Sequence, residues 1–510
     1  MKNVFTRAKV LAFLGNSLLA TLAILPVTAF AKLTYAPIVI HTFDASKGEG
    51  PSPITLGADG NIYGALTNGD IFKVDSTGAV TIVYSAPAGT ISTFYNLVSG
   101  SDGNLYSLVF VQPSASSIPP PGLSLVMTTP EGKLSVIYTF DNTVGPYPAS
   151  NLIQGSDGAF YGVLSSANNC GMVFRITTAG TFSTFASLAS APTPSCSEAS
   201  LIQGHDGNLY GTIIGLGADP STVFKITPAG TLSYIHTFVH SSFSPNNSQP
   251  TLLSDSGKGE LYGVSHGTVF SVDSNGRTVT LHTFNDSNVL EGTRPISVVM
   301  GSDGYLYGST LRGGTGAVTV DTYSGIGPSN PGNGTLFRIK PDGTGYQLLY
   351  SFASPFNAVQ NDTDGLPSNL ILDKSGGIVG VSSDAIFRLP APPSNWNMGP
   401  APTIRISASP KRLNYVKNPA ATSTLTWSTS NADSCYASPS LYADWTGLQN
   451  LQGTTTVPSH ASDIYYAFRF DGANIPYTLA CVSTTGTFNK ASVKVKSVPF
   501  KYVGIYYPGS

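Results

Sequence analysis

Glu198, His240 and His266 are the residues whose types could share acid–base chemistry in this chain. A carboxylate and an imidazole facing each other across a cavity mouth can pass a proton between substrate and protein, which is what an elimination by a lyase requires. The set is sparse, and no nucleophile elbow, H-E-x-x-H pair or glycine-rich phosphate loop accompanies it. His41, His236 and His282 each open the same phrase, "HTF", and therefore mark repeated structural positions. The short acidic turns "DSTG" and "DSNG" lack the further oxygen ligands of a calcium loop and read as aspartate-capped turns. No metal or cofactor is expected.

The chain must be organised to carry such residues, and its ends and composition bound how. Lys2, Arg7 and Lys9 precede an apolar run that closes on Ala29-Phe30-Ala31, the pattern of a secretory signal peptide over residues 1–31 with cleavage before Lys32. Beyond it no apolar stretch approaches the roughly 20 residues of a spanning helix, so a secreted or periplasmic protein without a membrane span is expected. Charged residues are 11% of the chain and the net charge is −2, against about 25% charged in ordinary globular domains. With no overall basic field, nucleic acid is not an expected partner. The partner classes left are a protein or a polysaccharide.

The dominant signal is repetition. "ADGNIYG" at Tyr63 returns as "SDGNLYS" at Tyr106, "SDGAFYG" at Tyr161, "HDGNLYG" at Tyr210, "GKGELYG" at Tyr262 and "SDGYLYG" at Tyr307, and "SGGIVG" follows with Val379 in the tyrosine's place. Most intervals lie at about 40–55 residues, the period of propeller blades. Each unit adds phrases such as "STVFKITPAGTLSYIHTF", so one unit reads as four short strands joined by Asp-Gly and Ala-Gly turns. The repeated tyrosine is expected to pack between neighbouring units. The seventh unit stops after three strands, and "LTYAPIVIHTF" at residues 33–43 supplies the fourth. The expected fold is all-β: a seven-bladed β-propeller over residues 32–389, closed by its N-terminal strand.

The phrasing "GSDGNLYG…GTVFKIT…GTL…F" resembles the tandem GloVer repeats of bacterial exported proteins, over about residues 33–389. The resemblance implies a propeller-like repeat region in a bacterial protein and carries no established activity. A proline-rich linker, residues 390–402, leads to residues 403–510. There "TLTWSTSNADSC" and "YTLAC" resemble bacterial immunoglobulin-like sandwiches, although Trp427 precedes Cys435 rather than lying between the cysteines.

Four cysteines in an exported chain point to two disulfides. Cys435 is expected to pair with Cys481 in the sandwich. Cys170, between the second and third strands of the third unit, is expected to pair with Cys196 in the passage to the fourth. At the axis, the innermost strands begin with Pro53, Asn96, Asn151, Ser200, Thr251, Ser297 and Asn369, an uncharged ring to which only Glu198 and Arg294 bring charge. A lactonase-type metal site needs converging carboxylates there. Long connections between second and third strands, residues 111–122 and 312–334, crowd one face, where loops carried by repeats usually do their work. The reading that follows is an exported binding or surface-interaction protein. The alternative is a lyase- or lactonase-type enzyme acting at the axial mouth.

Overall fold

The computed structural model describes residues 37–497 apart from 45–49, 52–53, 88–91, 112–121, 141–146, 149–150, 167–168, 189–195, 216–220, 239–250, 266, 285–290, 315–333, 353–367, 383–384, 391–399, 414–420, 439–446, 459–473 and 484–486. The described residues are all β, with no α-helix among them, and the repeat region is a propeller-like array of sheets. The first sheet runs Thr55–Leu56, Ile62–Ala65, Ile71–Val74 and Val80–Tyr84, each strand antiparallel to the next. Five further meanders follow in chain order; the one spanning residues 147–187 gains a fifth short strand. The last sheet combines Ser368–Leu372, Ile378–Val381 and Ala385–Leu389 with Ile38–Thr42, which pairs antiparallel to Ala385–Leu389. The N-terminal strand thus completes the sheet that the seventh unit leaves short.

Apolar alternation forces these sheets onto one another. Tyr63 sits in a buried cluster with Phe94, Leu105 and Val126 of the second sheet. Tyr106 does the same with Phe160 of the third, Tyr161 with Leu209 of the fourth, and Tyr210 with Phe270 of the fifth. Tyr262 and Tyr307 continue the series into the sixth and last sheets. Val379, in the tyrosine's place, packs with Ile54, Ile62 and Phe72 of the first. Burying a side chain of this size is worth about 1.5–3 kcal/mol, so the repeated tyrosine is the unit of sheet-to-sheet adhesion.

The glycines of the phrase are explained by the same ring. At Gly155 a Cβ would lie 2.8 Å from Tyr161 Cε2 and from Asp157 Oδ1, so only glycine lets the ring lie flat on the turn. Gly158, with φ of 79°, takes the left-handed position that closes it. The glycine after the tyrosine faces a phenylalanine of the third strand: Gly64 opposes Phe72, Gly162 Phe174, Gly211 Phe224, Gly263 Phe270, Gly308 Phe337 and Gly380 Phe387. In the second sheet alone of the seven the glycine is Ser107, and its partner is Val126. A smaller partner makes room for the larger residue.

The C-terminal region forms two sheets. One holds Thr403–Ser409, Thr422–Ser430 and Gln452–Pro458; the other holds Arg412–Leu413, Phe488–Ser497, Asn474–Val482, Ser434–Ser438 and Gly447–Gln449. Leu425, Trp427 and Val457 of the first share one core with Tyr477, Leu479 and Val495 of the second. Cys435 and Cys481 are bonded, as expected, but they are opposed residues of neighbouring strands, so the bond lies within one sheet and does not join the two. Trp427 uses its indole N–H on the Asn450 carbonyl at 2.9 Å. An isolated bridge between Gln347 and Thr487 ties this region to the sixth sheet.

The Gly162–Phe174 pair gives a direct test of this packing. A Cβ on residue 162 would lie 2.6 Å from Phe174 Cζ, so Gly162→Ala should cost about 1–3 kcal/mol through overpacking. Gly162→Ala with Phe174→Val, copying the Ser107–Val126 arrangement, should lose less than the sum of the two single changes in denaturant unfolding.

Candidate functional site

Of the residues singled out for chemistry, Glu198 lies on the strand Cys196–Gln203, while its side chain and the whole of His240 and His266 fall outside the described residues. Pro53 does too, as do the side chains of Thr251, Asn369, Cys170 and Cys196. The two cysteines stand inside strands, Asn169–Ile176 and Cys196–Gln203, rather than in the connections expected to hold them. Their pairing is not among the described features.

The remaining axial residues hold the sheets together. Asn96 Oδ1 accepts the Leu152 amide at 3.1 Å and its Nδ2 donates to the Leu152 carbonyl at 3.5 Å. One sheet on, Asn151 repeats the clamp on Leu201 at 2.9 and 3.0 Å. Ser297 Oγ accepts the Leu370 amide and Ser254 Oγ the Met300 amide, both at 3.2 Å. Ser200 is paired with Thr212 at 2.6 Å. Apart from Ser200, whose partner lies in its own sheet, these polar groups are spent on backbone of the next sheet, a use that spacing alone does not reveal.

The turn that opens each unit is a second repeated cluster. Asp157 Oδ2 accepts the Tyr161 hydroxyl at 3.0 Å and the Arg175 guanidinium at 2.7 Å, and Oδ1 accepts the Ala159 amide. The Asp–Tyr bond recurs at Asp59–Tyr63, Asp102–Tyr106, Asp206–Tyr210 and Asp303–Tyr307, at 2.7–2.9 Å. At Tyr262 the acceptor is Glu260. The turn is also clamped from outside: Gln154 accepts the Ser101 amide, Gln203 the Ser156 amide and Asp255 the His205 amide, at 2.6–2.7 Å.

Burial pushes the Asp157 carboxyl up, but Arg175, the Ala159 amide and the Tyr161 hydroxyl outweigh it and hold it below its ordinary value. Asp59, Asp102 and Asp206 are lowered likewise, against their burial, by tyrosine and asparagine donors. Burial, then the bond to Asp59, pushes the Tyr63 hydroxyl up to about 12. Tyr106, Tyr161, Tyr210, Tyr262 and Tyr307 move the same way, burial leading.

The opposite ends of the sheets differ. First-to-second connections are nearly constant, as at 57–61, 100–104, 155–159, 204–208 and 301–305. Second-to-third connections emerge from the other end and run from 166–169 and 265–268, where the strands nearly touch, to 111–122 and 312–335. The base of the longest is built on a buried acidic residue that sequence reading missed. Glu291 is 1% exposed. Its carboxylate meets His282 Nε2, and its backbone carbonyl accepts the Tyr346 hydroxyl at 2.8 Å and Thr335 Oγ1 at 3.3 Å. His282 stacks on Tyr346 with ring centroids 4.3 Å apart. His41 and His236, at the same place in their units, meet the edge of their own phenylalanine, and His236 Nδ1 also lies 3.4 Å from Thr278 Oγ1. Gly292 at φ 93° has Thr310 and Thr335 where a Cβ would stand, and Arg294 at φ 55° is left-handed without being glycine. Such backbone strain is held only where surroundings over-determine it. "HTF" signalled the histidine; its carboxylate partner lies in a different unit and leaves no local pattern.

Comparison with known proteins bears on the repeat. Residues 65–266 match the Gloeobacter/Verrucomicrobia repeat family. No curated protein matches the chain. Among solved structures the chain is similar to a streptogramin B lyase, at 16% identity over 68% of this chain and 96% of the other, with a TM-score of 0.46. It is also similar to YCF48 bound to D1 peptide, at 11% identity over 70% and 97%, TM-score 0.45. A gluconolactonase from Xanthomonas campestris gives 12% identity over 70% and 90%, TM-score 0.35.

Two outcomes follow. A carboxyl lowered on folding adds stability above its unfolded value near 4 that is lost as pH falls through the folded value. A tyrosine raised on folding adds stability below about 10 that is lost as pH rises through its folded value, about 12 for Tyr63. The tyrosinate absorbance that Tyr63→Phe removes from an alkaline titration should therefore lie near pH 12 and not near 10. A step lost near pH 10 in that variant would contradict the assignment. Separately, Glu291→Gln should cost about 1–3 kcal/mol and speed proteolytic cleavage within 313–334 more than elsewhere.

Proposed function

We propose that this chain, whose residues 65–266 carry the Gloeobacter/Verrucomicrobia repeat, is an exported binding protein. Residues 1–31 are its signal peptide, and residues 32–389 form a seven-bladed propeller closed by the N-terminal strand. Residues 390–402 link this to an immunoglobulin-like sandwich over 403–510. The propeller recognises a protein or polysaccharide through the connections between second and third strands.

The observation that carries this reading is the contrast between the two ends of the sheets. One end repeats the same aspartate–tyrosine turn; the other varies in length and, beneath its longest connection, places the Glu291–His282–Tyr346 network. Burying a carboxylate is costly unless it is paired, and here the cost is met where a loop needs a fixed base. The axial amides supply the complementary argument, since Asn96 and Asn151 clamp neighbouring sheets.

The test is retention of the chain from Lys32 on cell-wall polysaccharide fractions and envelope proteins, beside a variant whose 313–334 segment is replaced by the short connection of the fifth unit. The variant should unfold at nearly the same denaturant concentration and lose retention. Equal retention would move recognition off this face. Turnover of a lactone or an eliminable ester that disappears with Glu198→Ala would replace the binding reading with the enzymatic one.

A further inference from the structure

Charge is divided unevenly along the chain. Residues 403–510 hold nine lysines and arginines against four aspartates and no glutamate, whereas residues 1–402 hold 17 basic against 24 acidic residues. The near-neutral total hides a basic C-terminal region. Part of that excess is concentrated on one strand. Along Phe488–Ser497, Val493 and Val495 point into the core while Lys490, Lys494 and Lys496 are exposed. Alternate residues of a strand lie about 7 Å apart on the same face, so these ammonium groups form a row.

The row is widened by its neighbour. Arg412 is the register partner of Lys496, and exposed Lys411 accepts the Lys496 amide through its carbonyl at 2.8 Å. Like charges side by side on adjacent strands are destabilising. None of these five cations has a carboxylate partner among the described residues. In the repeat region Arg175, Lys225, Arg338 and Arg388 each face an aspartate. An unneutralised cationic row kept at a cost is suited to an anion from outside.

We infer that this strand face binds a linear acidic polysaccharide, with Lys490, Lys494 and Lys496 along the polymer and Arg412 beside its end. The row follows the length of one strand, which fits an extended chain. Between the lysines stand hydroxyls, Ser492 bonded to Thr478 at 2.7 Å, which suit sugar hydroxyls. Base stacking requires aromatic platforms and membrane insertion requires exposed apolar side chains. No large exposed apolar residue stands on this strand among the described residues. This surface is separate from the variable connections of the repeat region and does not rest on them.

The test uses the whole chain from Lys32 with polygalacturonate as probe and its fully methyl-esterified form as the uncharged control. Binding by calorimetry should be present at low ionic strength, weaken as salt rises, and be absent with the esterified polymer. Lys490→Gln with Lys494→Gln and Lys496→Gln should weaken it by about tenfold or more. The same charge change in the repeat region, Lys133→Gln with Lys258→Gln and Arg277→Gln, should alter it by less than about twofold. The variant lacking the 313–334 connection should bind the polymer normally, which keeps this inference distinct from the reading of the loop-bearing face. No binding by the unaltered chain, equal loss in both triple variants, or preference for phosphatidylglycerol vesicles or single-stranded DNA would overturn it.

Discussion

A four-stranded meander cannot cover both of its own faces, and the interaction that resolves this in six of the seven sheets is the tyrosine at the start of the second strand. Its ring fills the gap to the next sheet, while in five of the six its hydroxyl returns to an aspartate four residues earlier in the turn of its own unit. One side chain thus couples the shape of a turn to the packing between sheets. The rest of the phrase serves that ring. The first glycine lies under it, the second closes the turn, and a cation from the third strand neutralises the aspartate in several units.

Much of this arrangement was legible in the sequence, for reasons that can be traced to particular residues. The period of the phrase and the recurrence of "HTF" located the strands, and the shortened last unit correctly implied that Ile38–Thr42 completes its sheet. The burial of the tyrosine followed from its position beside alternating apolar residues. Less legible were contacts between residues far apart in the chain. Asn96 and Asn151 read as lining an axis, and they are clamps, because each needs a backbone partner about fifty residues on. Glu291 carried no motif at all; its meaning depends on His282 in the preceding unit and Tyr346 later in its own.

The same logic divides labour across the molecule. Several charges of the repeat region are paired within their own unit, as with Asp157 and Arg175 or Asp373 and Arg388, and stabilise the unit that bears them. The C-terminal sheets instead leave Lys490, Lys494 and Lys496 facing outward without a carboxylate partner among the described residues. A chain with only 11% charged residues therefore uses charge in two distinct ways. Overall composition alone obscures both.

The central claim is that neighbouring sheets are held together by bonds from the turns of the second, third and fourth sheets to the sheet that follows. The amides of Ser101, Ser156 and His205 test it most directly, since they sit in exposed turns yet donate to Gln154, Gln203 and Asp255 of the following sheet. Native-state hydrogen exchange should find these three amides protected and exchanging with the same free energy as the buried strands that follow them. Exchange at the rate of an open turn, or separate opening free energies for neighbouring units, would contradict the account.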